Sequence, residues 1–143
     1  MRIYNTVYLP TLLYGSESWT VLSKHESRIT STEMKYLRKC IGKTRRDRIR
    51  NCQIRNTLNQ EPAIKRIETN VLRWFGHINR MDESRKPKQV WEARGEGSRG
   101  RGRPRIEWNN YVEKIVNKKG KTVREAKHLS SDRINYRKWI TIG

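Results

Sequence analysis

Between Glu61 and Met81 the chain reads as one helix with three different sides. Pro62 stands in its first turn, where the missing N–H is harmless. Ile64, Ile67, Val71, Trp74, Ile78 and Met81 recur at three- and four-residue steps and so share a face. Arg66, Asn70, Arg73, His77 and Arg80 form a second stripe beside it. Leu72 and Gly76 lie on a third side, where a glycine lets another backbone come close. A helix that is apolar, cationic and notched on different sides needs several neighbours. This pattern predicts the central helix of a small helical domain, its cationic stripe turned toward a polyanion.

The flanking segments carry helical periodicity too. Residues 3–14 are the most apolar stretch, and Pro10 divides them, which predicts a kinked helix or two short ones with Gly15 at the C-terminal cap. Glu17-Ser18-Trp19 follows as a turn. An apolar start of this kind fits equally a segment cut from a longer protein and a terminal helix docked on its own domain. Ser23 and Glu26 have capping-box spacing for a helix to Ile41, with Ile29, Leu37, Cys40 and Ile41 facing inward. Thr44 and Asp47 offer a second box, in a stretch with six Lys/Arg against one acid between Lys43 and Gln60; two short helices are expected around Asn51. The run resembles a helix-turn-helix only superficially, because the turn glycine is missing.

After Met81 the composition changes. Asp82 to Arg105 holds Pro87, Pro104, four glycines and eight Lys/Arg with little periodicity, which predicts an exposed loop without order of its own. Arg99, Arg101, Arg103 and Arg105 alternate with small residues into a thin cationic strand. Arg101 to Pro104 also match the core by which AT-hooks lie in a narrow minor groove. A general phosphate-contacting strand is the preferred reading over a sequence-selective hook or an inert linker. Beyond it, Trp108, Tyr111, Val112, Ile115 and Val116 share a helical face ended by Gly120. Thr122 and Glu125 box the start of a last helix bearing Ala126, Leu129, Arg133, Tyr136 and Ile140, with Ser130-Ser131 a place for a bend. Strand-period alternation is missing throughout. The expected class is all-α: a small irregular bundle with a long basic Gly/Arg-rich loop and two C-terminal helices, divided as 1–81, 82–107 and 108–143.

Charge narrows the function. Lys and Arg number 33 against 14 acids, a formal charge of +19 on 143 residues, and such a field calls for an acidic partner, nucleic acid before anionic membrane. No segment after Met1 has the apolar core of a secretory signal, and no apolar run is long enough to span a bilayer. Cys40 and Cys52 are expected as free thiols, too far from each other and from His25, His77 and His128 for close zinc-ligand pairs. Asp47, Asp82 and Asp132 are scattered, so no two-metal carboxylate pair is nominated. No nucleophile–histidine motif and no Walker-type phosphate loop occurs. No catalytic residue, metal ligand or cofactor is expected in this chain.

Several blocks nevertheless occur in a telling order: Pro10 to Trp19 (PTLLYGSESW), Tyr36 to Lys39 (YLRK), Leu72 to Met81 (LRWFGHINRM), and Arg101 to Arg105 (RGRPR) with Trp108. Together they resemble the post-palm segment, the thumb and the region beyond it, in LINE-type (non-LTR) retrotransposon reverse transcriptases. The resemblance covers nearly the whole chain. It implies a parent RNA-directed DNA polymerase with an endonuclease, working in the nucleus by target-primed reverse transcription with magnesium. The paired metal-binding aspartates would sit upstream, in a palm that becomes a partner of this segment. Asn109 and Asn110 stand where related copies often carry an acid, so no acid role is implied there. The implied role is a grip on the DNA or RNA backbone of template–primer or target. An independent AT-hook protein and a translated relic of a decayed element are the alternatives.

The residues assigned to that grip are Lys43, Arg45, Arg46, Arg48 and Arg50 in the basic turn; Arg73, His77 and Arg80 on the central helix; and Arg99, Arg101, Arg103 and Arg105 in the loop. Trp74 and Met81 border the cationic stripe and are assigned to core packing in preference to sugar contacts.

Overall fold

The structure is a computed structural model that describes residues 1–93, Gly102 and 107–141. Among the described residues there are eight α-helices and no β-strand, as the periodicity predicts. The helices are α1 (Leu9–Leu12), α2 (Ser23–Cys40), α3 (Asn51–Leu58), α4 (Ala63–Asn79), α5 (Lys86–Glu92), α6 (Trp108–Lys118), α7 (Val123–Leu129) and α8 (Arg133–Thr141). They form two compact units. The first contains Met1–Ser16 and Val21–Glu68, the second Glu17–Thr20 and Thr69–Gly143, so the division falls inside α4.

In the first unit, α1 is preceded by a π-helical turn at Tyr4–Tyr8. Proline offers no N–H and its ring crowds the carbonyl four residues back, and the wider turn before Pro10 absorbs both effects. Gly15, at φ +71°, ends the run. In α2 the buried residues are Glu33, Met34 and Leu37; Ile29 and Ile41 are half-buried, and Cys40 is exposed rather than inward-facing. The N-terminus of α2 is closed by His25, whose Nδ1 accepts the Leu22 N–H at 3.3 Å, in place of the Ser23–Glu26 box. A single helix, α3, follows where two were expected. Thr44–Asp47 instead form a turn in which the Asp47 carboxylate accepts the Thr44 N–H (2.7 Å) and hydroxyl (2.8 Å).

Glu33, four residues from both Ile29 and Leu37 on the inner stripe of α2, is buried despite its charge. Its Oε1 accepts the Tyr4 hydroxyl (3.1 Å) and the N–H of Ala63 (3.0 Å), and Oε2 accepts Arg55 Nη2 at 2.6 Å. One carboxylate thereby ties the π turn and α3 to the first amide of α4, where an anion is favoured by the helix's open N–H groups and dipole.

In the second unit Val71, Leu72, Phe75 and Ile78 of α4 are buried with Tyr111, Val112, Ile115 and Val116 of α6, the face expected for that helix. The segment expected to be a loop throughout contains α5, with Pro87 in its first turn. Trp91 of α5 packs edge-on against both Phe75 (5.7 Å) and Trp108 (5.1 Å). Lys88 is buried beside Glu92 (3.0 Å), and its Nζ donates to the Asn79 carbonyl at 3.4 Å, a cation at the C-terminal end of α4. The expected Thr122–Glu125 box is present, with Glu125 accepting the Thr122 N–H at 2.7 Å and Thr122 accepting the Glu125 N–H at 3.3 Å. The one last helix expected is instead two, so three helices follow residue 107 rather than two: α7 ends at Leu129, and Asp132 starts α8 by accepting the N–H groups of Ile134 and Asn135.

Packing rotates the buried face of α4 away from the predicted stripe. Leu72 and Phe75 replace Trp74 and Met81, which are half-buried. Trp91 covers one flank and Tyr136 the other. A Cβ on Gly76 would lie 2.4 Å from Tyr136 Cε1, so the notch admits an aromatic ring rather than another backbone. The Tyr136 hydroxyl donates to the Leu72 carbonyl at 2.6 Å.

Candidate nucleic-acid interface

The Gly76–Tyr136 contact brings α8 against α4, and with it two rows of cations. Arg73 and His77 are one turn apart on α4; Arg133 and Arg137 are one turn apart on α8. Together with Arg80 they line an open cleft of about 660 Å³ that also includes Asn70, Trp74 and Ile140, with Glu17 as its one acid among the described residues. Arg73, His77, Arg133 and Arg137 are all exposed, and no ion pair to any of them occurs among the described residues.

Arg80 is held more firmly. Its Nη1 donates to the Ser130 carbonyl at 2.7 Å, at the C-terminal end of α7, and its guanidinium lies 5.9 Å from the Tyr136 ring centroid. Burial pushes the Tyr136 hydroxyl well above its ordinary pKa while Arg80 opposes that rise. The group stays protonated and keeps its bond to Leu72. Four guanidiniums facing one carboxylate make a positive field that an anion would relieve.

The chain is similar to a transposon-derived protein. This uncharacterized protein of Caenorhabditis elegans is 23% identical over 150 residues, which cover 99% of this chain and 53% of the relative. The chain thus spans about half the length of the curated relative it matches. No protein-family model matches the chain, and no solved structure does.

The other predicted residues are distributed differently. Lys43 and Arg45 line a groove of about 960 Å³ in the first unit, with Lys35, Arg38 and Lys39 of α2 and the hydroxyls of Ser27, Thr30 and Ser31. Arg38 is fixed there by Asn51 Oδ1 at 2.6 Å and the Ile49 carbonyl at 3.3 Å. Lys43 approaches Asp47 at 3.9 Å, an exposed pair that contributes little. Hydrogen bonds from Thr44 hold the Asp47 carboxyl below the usual carboxylate range. Arg46, Arg48 and Arg50 are exposed but do not line the groove, and Arg48 adopts a left-handed backbone at φ +51°. Arg99, Arg101, Arg103 and Arg105 lie outside the described residues.

Sequence reasoning missed Lys35, Arg38 and Lys39, although their spacing on α2 is itself a one-sided cationic stripe. It placed Arg133 on the stripe of the last helix and overlooked Arg137. Recognising those two as site residues required knowing that α8 meets α4. Among the described residues no group of three or more His, Cys, Asp or Glu is placed to hold a metal ion, and no helix is long and apolar enough to cross a membrane.

Proposed function

We propose that this chain is a nucleic-acid-binding C-terminal segment of a LINE-type retrotransposon reverse transcriptase, gripping the backbone of template–primer or target DNA. The observation that carries the reading is the cleft between α4 and α8, where Arg73, Arg80, Arg133 and Arg137 converge with one acid among them. That lining suits phosphate oxygens, since guanidinium is always charged and presents several donors in a plane. The first unit has a basic groove of its own, on α2 and the turn after it, that suits the same chemistry. Similarity to a transposon-derived protein supports the mobile-element origin. Polymerase and endonuclease chemistry, with magnesium, belongs to the longer parent, and its site of action is the nucleus, where target DNA is found.

The reading is tested by the salt dependence of binding to a labelled template–primer duplex. Each phosphate neutralised contributes about −0.9 to the slope of log K against log salt. Replacing Arg73, Arg133 and Arg137 together by Ala flattens the slope by about three units and leaves helix content unchanged. An unchanged slope removes the cleft from the interface.

A further inference from the structure

The arginine cleft is not the only hollow that Trp74 borders. Trp74 also lines a groove of about 520 Å³ together with Ile78, Lys86, Pro87, Val90, Trp91 and Trp108. The volume is in the range of small-molecule sites, roughly 300–1,000 Å³. The walls are aromatic and aliphatic, yet the groove is open: Val90 is 75% exposed. Trp74 itself is half-buried, its ring 5.3 Å from the His77 imidazole and inclined by 35°. An indole thus stands as the shared wall between a cluster of guanidiniums and an apolar groove, all within the second unit.

A grip on duplex backbone uses only the first of these hollows, because bases paired in a duplex present no free faces. A single strand presents two chemistries side by side: phosphates needing cations and unstacked bases needing flat apolar surface. The geometry points to a site for an unpaired stretch of polynucleotide. Its phosphates lie in the arginine cleft, and an adjacent base crosses Trp74 into the groove of Pro87, Val90, Trp91 and Trp108. The inference rests on the backbone-binding reading and adds a preference that reading does not contain. Stacking is tolerant of sequence, since every base has a π-face, so selectivity is for single-strandedness rather than base identity.

The deciding experiment keeps the phosphates and removes the bases. Binding of the full chain is measured by fluorescence anisotropy with oligothymidylate, with an abasic oligomer of the same length, and with a blunt duplex. The inference predicts that the abasic strand binds roughly 5- to 150-fold more weakly than oligothymidylate, the range for losing one stacked base. Trp74→Ala weakens oligothymidylate by a similar factor, and by more than it weakens the duplex or the abasic strand, and Trp74→Phe restores most of the loss. Val90→Asp, at an exposed position, weakens oligothymidylate more than the abasic strand. Equal affinity for oligothymidylate and the abasic oligomer overturns the inference while leaving the backbone reading in place. Failure of all three ligands to bind at low salt overturns both.

Discussion

Gly76→Ala is the most demanding test of how the second unit is put together. In an isolated helix the change stabilises by about 1 kcal/mol, because glycine is a poor helix former. Here the new Cβ would lie 2.4 Å from Tyr136 Cε1 and 3.0 Å from both Cδ1 and Cζ. Carbon atoms rest at about 3.5–4.0 Å, so the ring must retreat by about 1 Å or more. Overpacking of that kind costs about 1–3 kcal/mol. A retreat along the hydrogen bond also carries the Tyr136 hydroxyl, now 2.6 Å from the Leu72 carbonyl, beyond bonding range. A buried hydroxyl left without its partner costs a further 1–3 kcal/mol or so. Set against the propensity gain, the net loss is about 1–5 kcal/mol, and its midpoint lowers Tm by roughly 10 °C for a chain this size. Tyr136→Leu supplies the control, since leucine has no atoms at the Cε and Cζ positions. In that background Gly76→Ala should raise Tm. Thermal melts followed by circular dichroism read both signs. A rise in Tm for Gly76→Ala in the wild-type background, or an equal cost in both backgrounds, refutes the close approach of ring to helix.

Other outcomes follow from the same contacts. Glu33→Gln keeps an oxygen for Tyr4 and Ala63 but strips the charge facing Arg55, and should cost about 3–5 kcal/mol by chemical denaturation, the usual loss when one partner of a buried pair is neutralised. Asp47, Asp82, Glu125 and Asp132 all have carboxyl groups held below their ordinary range, chiefly by hydrogen bonds to Thr44, Ser84, Thr122 and Asn135 respectively. A folded-state pKa below the unfolded one gives stability that is present above the unfolded value, near pH 4, and is lost as pH falls through the folded value. Urea midpoints should therefore decline below about pH 4, and Thr122→Ala should shrink the part of that decline due to Glu125. Arg80→Ala should lower Tm as well as affinity, because its bond to the Ser130 carbonyl is structural, whereas Arg137→Ala should lower affinity alone.

Much of the local structure is legible in the residues by themselves. Three-and-four spacing identifies the helices and the class, Thr122 and Glu125 mark a helix start, and Tyr111, Val112, Ile115 and Val116 mark the inner face of α6. The notch at Gly76 and the cationic stripe of Arg73, His77 and Arg80 are legible too. These are properties of single helices, where interactions run between residues three or four apart. The short α5 escaped because one turn after a proline, inside a run of charges, has too few apolar positions to show a period.

Tertiary structure decided which faces meet. Glu33 shares the inner stripe of α2 with Ile29 and Leu37, but what lets a carboxylate stay buried there is a set of partners 22, 29 and 30 residues away. Trp74 reads as core, and is left half-open because Leu72 and Phe75 take the buried side against Trp91 and Tyr136. The arginine cleft exists only because Tyr136 seats at Gly76, 60 positions away in the sequence, and carries Arg133 and Arg137 with it. Periodicity tells which side chains share a face of one helix. It carries no term for the partner helix, whose choice depends on shape and buried polar bonds between residues distant in the chain.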